Sequence, residues 1–121
     1  MTRDDVQRWL DRYVEAWRTY DRESIRALFS ADAEQFDHPW EAAPVRGADA
    51  IADDWLADAD APGTYEATYE PFAIEGSRAV AVGTSRYDDA RGKRVYHNAF
   101  VLEFDEHGAC RSFRDYYILE G

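Results

Sequence analysis

The sequence predicts an α+β domain in which amphipathic helices precede a strongly curved, mostly antiparallel sheet, and three observations predict it. The first half carries helical apolar spacing behind residues that cap helices. Past the breaker Asp58-Ala59-Asp60-Ala61-Pro62-Gly63 the apolar period drops to two, the period of strands. Two of the period-two runs then flank Asp105-Glu106-His107-Gly108, a polar turn with a glycine, which reads as a β-hairpin. Helices gathered first and strands gathered last give α+β rather than alternating α/β.

Thr2 and Asp5 have the spacing of a capping box, with Asp where Glu or Gln is the better partner. Val6, Trp9, Leu10, Tyr13, Val14 and Trp17 then recur on one face of a first helix. Asp21 is placed to cap a shorter helix with Ile25, Leu28 and Phe29 on its apolar side, ending near Ser30-Ala31-Asp32. A short strand is expected over 34–37, closed by Pro39, which cannot donate to a ladder. Residues 41–46 read as a loop, and Gly47 with Asp49 opens a third helix carrying Ile51, Trp55 and Leu56. Strands follow over 64–74, where Pro71 marks an edge or a bulge, and over 78–87. A turn over 88–92 leads into the hairpin of 93–104 and 109–117, completing a four-stranded meander.

A chain of 121 residues, 45% hydrophobic and 15% aromatic, makes one globular domain with an unusual share of rings. Its net charge of -11 repels phosphate backbones and anionic lipid, so neither nucleic acid nor a membrane is an expected partner. No apolar run is long enough to span a bilayer, and Met1-Thr2-Arg3-Asp4-Asp5 does not begin a signal peptide, so a cytoplasmic location is expected. Cys110, the one cysteine, excludes an internal disulfide and reads as a small strand residue.

The hairpin carries the first hint of chemistry. Tyr96, Asn98, Phe100, Leu102 and Phe104 share one face of its first arm, and Phe113, Asp115 and Tyr117 share one face of its second. If those faces coincide, Asn98 and Asp115 lie diagonally opposed within an aromatic wall, where a buried polar group needs a partner. Trp17, Trp40, Trp55 and Tyr87 add rings from elsewhere, enough to line a cavity for a small apolar or polycyclic molecule, though each also reads as core. His38, His97 and His107 have no second ligand at metal-binding spacing. No Gly-rich phosphate loop, nucleophile elbow or Cys-His pair is present, so neither metal nor cofactor is expected.

The order helix, helix, strand, Pro-containing loop, helix and meander resembles the nuclear transport factor 2-like superfamily, which includes SnoaL-like polyketide cyclases, ketosteroid isomerases and limonene epoxide hydrolases. Arg12-Tyr13-Val14 through Asp21, Ile25, Ala27-Leu28-Phe29 and Asp32-Ala33 is similar to the N-terminal half of ketosteroid isomerases, and Phe104-Asp105-Glu106-His107-Gly108 to their last hairpin turn. The resemblance covers essentially the whole chain and implies a cone-shaped fold with an interior cavity. It places Tyr13 at the oxyanion-donor tyrosine. Counting forward from the helices puts Asp37 at the proton-transfer position, while His38-Pro39-Trp40 reproduces the acid-Pro-aromatic pattern there and favours His38. Strand alternation would turn only one of the two inward. Histidine suits the task because, as a residue type, it changes charge near neutrality.

The second donor position falls on Phe100, whose ring cannot stabilise an oxyanion, so the familiar steroid isomerisation is not expected. The Asp-Arg-Asp arrangement of limonene epoxide hydrolases fits poorly too, because alternation turns Arg86 and Arg114 away from the face of Asp115. What remains is the SnoaL-like expectation: cofactor-independent acid–base chemistry on an apolar carbonyl compound, with His38 and Asp115 exchanging protons and Tyr13 or Asn98 donating. A non-catalytic ligand-binding module, or an interaction protein with a vestigial cavity, would use the same fold. The opposite sheet face, with Val80, Val82, Val95, His97, Ala99 and Val101, is apolar enough to be covered by a second copy, as is common in the superfamily.

Overall fold

The computed structural model describes residues 1–121, and its elements run α1 (Arg3–Thr19), α2 (Arg22–Arg26), β1 (Phe29–Phe36), β2 (Val45–Arg46), α3 (Ala48–Ala57), β3 (Tyr65–Glu75), β4 (Arg78–Asp89), β5 (Gly92–Phe104) and β6 (Cys110–Leu119). Helix α1 starts on the expected capping box: Thr2 N–H donates to Asp5 Oδ2 at 2.9 Å and Asp5 N–H to Thr2 Oγ1 at 3.1 Å. It ends at Tyr20, the only non-glycine residue with positive φ (50°), whose N–H closes on Ala16 O at 2.8 Å. Glycine usually occupies such a cap because a Cβ there is strained. Asp21 caps α2 by accepting from Ser24 N–H at 3.0 Å.

Two boundaries differ from expectation. Helix α2 stops at Arg26 rather than near Asp32, and the strand that follows begins at Phe29 rather than Glu34. Leu28 and Phe29 are buried as a helix face would be, but Phe29 is a strand residue that packs against Trp9 of α1, Trp55 of α3 and Phe113 of β6. The supposed loop also contains β2, a two-residue strand antiparallel to β1. Its partner lies only a short turn back in the chain, and two residues are too few for a period to show.

The sheet has the order β2-β1-β6-β5-β4-β3, antiparallel except where β1 runs parallel to β6. The meander is as expected, and Pro71 lies on edge strand β3 at a register shift between Pro71 and Ala73. Tyr69 of β3 lies across Gly83 of β4, its register partner. A Cβ on Gly83 would fall 1.9 Å from Thr68 O and 2.7 Å from the Tyr69 ring, so only glycine admits this approach.

Helix α1 docks on the inner face of the curved sheet. Buried Trp9 donates its Nε1–H to Leu28 O at 3.0 Å and packs edge-on against Phe29 and Phe104. Arg3 and Gln7 donate to the β3 carbonyls of Pro71 and Tyr69. The core continues through Leu10, Ile25, Leu28, Ile51, Phe100, Leu102 and Phe113, then stops short of the wide end of the cone. On the outer face Val101, Tyr116 and Ile118 are exposed, Ile118 by 72%. No helix is long and apolar enough to cross a membrane.

Candidate functional site

Where the core stops, Tyr13 of α1 borders a branched cavity. One lobe, of about 340 Å³, runs from Tyr13 and Trp17 to Ser85, Tyr87, Arg94, Tyr96 and Asn98 on the sheet, with Asp115 and Tyr117 on β6. A second, of about 410 Å³, extends from Tyr13, Phe113, Asp115 and Tyr117 to Gln35, Asp37, His38, Asp54 and Trp55. A third, of about 190 Å³, lies under the segment after α3 and is lined by Tyr13, Trp17, Tyr20, Asp54, Trp55, Asp58 and Asp60. Tyr13 and Asp58 line all three.

Strand alternation positions the central acid. In the β5–β6 register Phe100 opposes Asp115 and Asn98 opposes Tyr117, so Asn98 and Asp115 are diagonal neighbours on the inner face. Asn98 Nδ2–H donates to Asp115 Oδ1 at 3.1 Å, and the Ser85 hydroxyl donates to Asn98 Oδ1 at 3.0 Å. The carboxylate fixes the amide orientation, since the reverse would set a carbonyl oxygen against it, and the serine hydroxyl donates to the amide oxygen that remains. Asp115 takes no other close donor and joins no ion pair. Burial pushes its carboxyl up to about 6; the Asn98 hydrogen bond offsets part of this and the Asp37 charge adds to it.

The Tyr13 ring stacks on Phe113 at 5.5 Å and meets Trp55 edge-on at 5.1 Å, while its hydroxyl makes no hydrogen bond within the protein. Burial, then the neighbouring Tyr69 and Asp115, raise this hydroxyl well above the ordinary range, so it stays a donor. Tyr69 and Tyr87 are raised for the same first reason. At the far end of the first lobe Arg94 lies over the Tyr87 ring at 5.0 Å and pairs with Asp89 through both guanidinium Nη atoms. That pairing holds the Asp89 carboxyl well below the usual carboxylate range.

Asp37 and His38 line the same lobe, against the expectation that only one would turn inward. Strand β1 ends at Phe36, so both lie in a turn where alternation no longer applies. Asp37 is exposed at the mouth, yet its carboxyl is raised, first by partial burial and then by the charges of Asp54 and Glu41. His38 Nδ1 meets the Tyr117 hydroxyl at 3.3 Å, its backbone N–H donates to Glu41 Oε1, and its ring stacks on Trp40 at 4.7 Å. Two expected lining residues do not line the cavity. Trp40 is 77% exposed, carried outward by the turn at Pro39, and Phe100 is buried behind Tyr13, Tyr69 and Phe113 as core.

Sequence reasoning missed Ser85, Arg94, Gln35, Asp54, Asp58 and Asp60. Period two could have found Ser85, on the face of Tyr87, and Arg94, on the face of Tyr96 and Asn98. Asp58 and Asp60 belong to what reads only as a breaker, and nothing local shows that Asp60 accepts from Trp17 Nε1–H at 3.2 Å and from the Tyr20 hydroxyl at 3.3 Å. No group of three His, Cys, Asp or Glu side chains is placed to hold a metal ion.

Three solved structures share the fold: an epoxide hydrolase of Mycobacterium tuberculosis described as LEH-like (TM-score 0.70, 15% identity, 95% of this chain and 84% of that one); a second M. tuberculosis protein (TM-score 0.76, 12% identity, 99% of each chain); and a protein of unknown function with a cystatin-like fold from Methylobium petroleophilum (TM-score 0.72, 20% identity, 100% of this chain and 80% of that one). No curated protein sequence matches significantly. The model of the SnoaL-like domain matches residues 10–112, from the middle of α1 into β6. A match of that extent, on a nuclear transport factor 2-like cone, means that the chain belongs to the SnoaL-like domain family.

Proposed function

We propose that the chain is a cofactor-independent acid–base enzyme acting on a small carbonyl compound with an apolar body, and that Asp115 moves the proton. The observation that carries this reading is a carboxyl raised to about 6, held by one amide donor inside a cavity that also presents an unbonded tyrosine hydroxyl. Tyr13 donates to the reacting oxygen, Asn98 is a positioning residue, and His38 with Tyr117 stands at the mouth. Asp37, Asp54, Asp58, Asp60 and Asp115 all border the space, and this crowd of carboxylates opposes an enolate while favouring protonation of a carbonyl oxygen. Asp115 therefore acts best as a general acid. The LEH-like epoxide hydrolase that shares the fold makes epoxides a reasonable addition to the assay panel.

The test follows apolar ketones and epoxides by NMR in deuterated water, reading deuterium uptake, isomerisation or diol formation. Turnover is expected for at least one class, and Asp115→Asn is expected to lower it by about 100-fold or more. Equal rates for both proteins would refute the assignment of Asp115, and no turnover across the panel would favour the binding module. We infer further that a second copy covers the outer face around Val101, Tyr116 and Ile118, because these apolar side chains stand exposed together on adjoining strands.

A further inference from the structure

We propose that the lobe formed by Trp17, Tyr20, Trp55, Asp54, Asp58 and Asp60 binds an organic ammonium group, so that the molecule this cavity takes carries a positive charge. The inference rests on the cavity being a small-molecule site, and not on Asp115 transferring a proton.

An inventory of donors and acceptors argues it. Trp17 Nε1–H is given to Asp60 and to the Tyr20 oxygen, and the Tyr20 hydroxyl is itself given to Asp60. Trp55 Nε1–H is given to Gln35 Oε1 at 2.7 Å, and Gln35 Nε2–H to Asp54 at 3.1 Å. Every side-chain N–H in the lobe is consumed within the protein. What faces the space is therefore acceptor oxygen and ring surface, with the Tyr13 hydroxyl as the one uncommitted donor. Asp58 makes no side-chain hydrogen bond at all, and none of the three carboxylates joins any of the chain's ion pairs. The nearby cations are engaged elsewhere: Arg18 with Glu15, Arg22 with Asp53, and both Arg91 and Arg94, which border the adjoining lobe, with Asp89.

An anion would be repelled by these carboxylates, and a neutral ligand could meet them only through its own O–H or N–H, without any attraction of charge. A cation meets both carboxylate charge, focused by the cleft, and the negative faces of aromatic rings. The carboxylates are not grouped to chelate a metal ion, which leaves an ammonium on a carbon skeleton.

The test titrates ¹⁵N-labelled protein with benzyltrimethylammonium and, separately, benzyl alcohol, following the four indole N–H signals. The cation is expected to shift Trp17 and Trp55 while leaving Trp9 and Trp40 in place, and to bind at least tenfold more tightly than the alcohol. Asp58→Asn, at an exposed residue without hydrogen bonds, is expected to weaken it by at least about threefold. Equal affinity for cation and alcohol would overturn the inference, as would shifts confined to Trp40 or binding indifferent to both Asp58→Asn and Asp54→Asn. Turnover does not enter the readout, so a failed activity screen leaves the inference standing, and a failed titration leaves the assignment of the proton to Asp115 intact.

Discussion

Replacing Asp115 by Asn should stabilise the protein at neutral pH, by an amount the structure sets. Folding raises this carboxyl from its ordinary 3.8 to about 6, chiefly through burial, so over that interval the unfolded chain gives up its proton while the folded chain keeps it. Stability from this group is therefore lost as pH rises from near 4 to above 6, and the full penalty is about 3 kcal/mol. Asn keeps the shape and can still accept from Asn98 Nδ2–H, but it never ionises. The variant should match the parent at about pH 3.5 and exceed it by up to about 3 kcal/mol at about pH 7.5. In a chain of 121 residues that corresponds to a rise in Tm of roughly 10 °C. Urea unfolding of both proteins across this range gives the difference directly, and taking the difference cancels the other titrating groups. A gap that does not change with pH, or a variant less stable than the parent at neutrality, would refute a desolvated carboxyl at Asp115.

Tyr13→Phe removes a hydroxyl that bonds to nothing in the protein and keeps the ring packing, so stability should change by less than about 1 kcal/mol while turnover falls by about 100-fold; chemical denaturation and kinetics on one preparation check both. Gly83→Ala forces a Cβ against Thr68 O and the Tyr69 ring and should cost about 3 kcal/mol, read from the urea midpoint; a neutral effect would mean that β3 and β4 can part locally. Ile118→Glu should shift the sedimentation profile from two copies to one without changing the circular dichroism, and an unaltered profile would remove the outer face as the contact.

How much of this was legible depended on how local the cause was. The apolar spacing of Val6 to Trp17, the Thr2–Asp5 cap and the β5–β6 turn are set by residues close in sequence, and the structure has all of them. The Asn98–Asp115 diagonal also followed from alternation and turn length alone. Strand β1 did not, because what makes Phe29 a strand residue is pairing with Cys110, far along the chain. Leu28-Phe29 satisfies a helical pattern equally well. The site splits the same way: Ser85 and Arg94 lie on a face already identified, whereas Asp58 and Asp60 reach the cavity only because the folded chain carries the segment after α3 over it, with Asp60 held there by Trp17 and Tyr20.

The sixth strand in chain order, β6, sits in the middle of the sheet, hydrogen-bonded to β1 on one side and β5 on the other. During synthesis α1, α2 and β1 must wait, with one strand edge open, until β6 emerges and slots between them and the meander. Pairing Phe29 with Cys110 brings together distant segments, a topology that slows closure. Asp115 rides on that insert, so the hollow gains its most deeply buried carboxyl only when β6 pairs, and a nascent or clipped molecule lacking β6 would hold neither a continuous sheet nor Asp115.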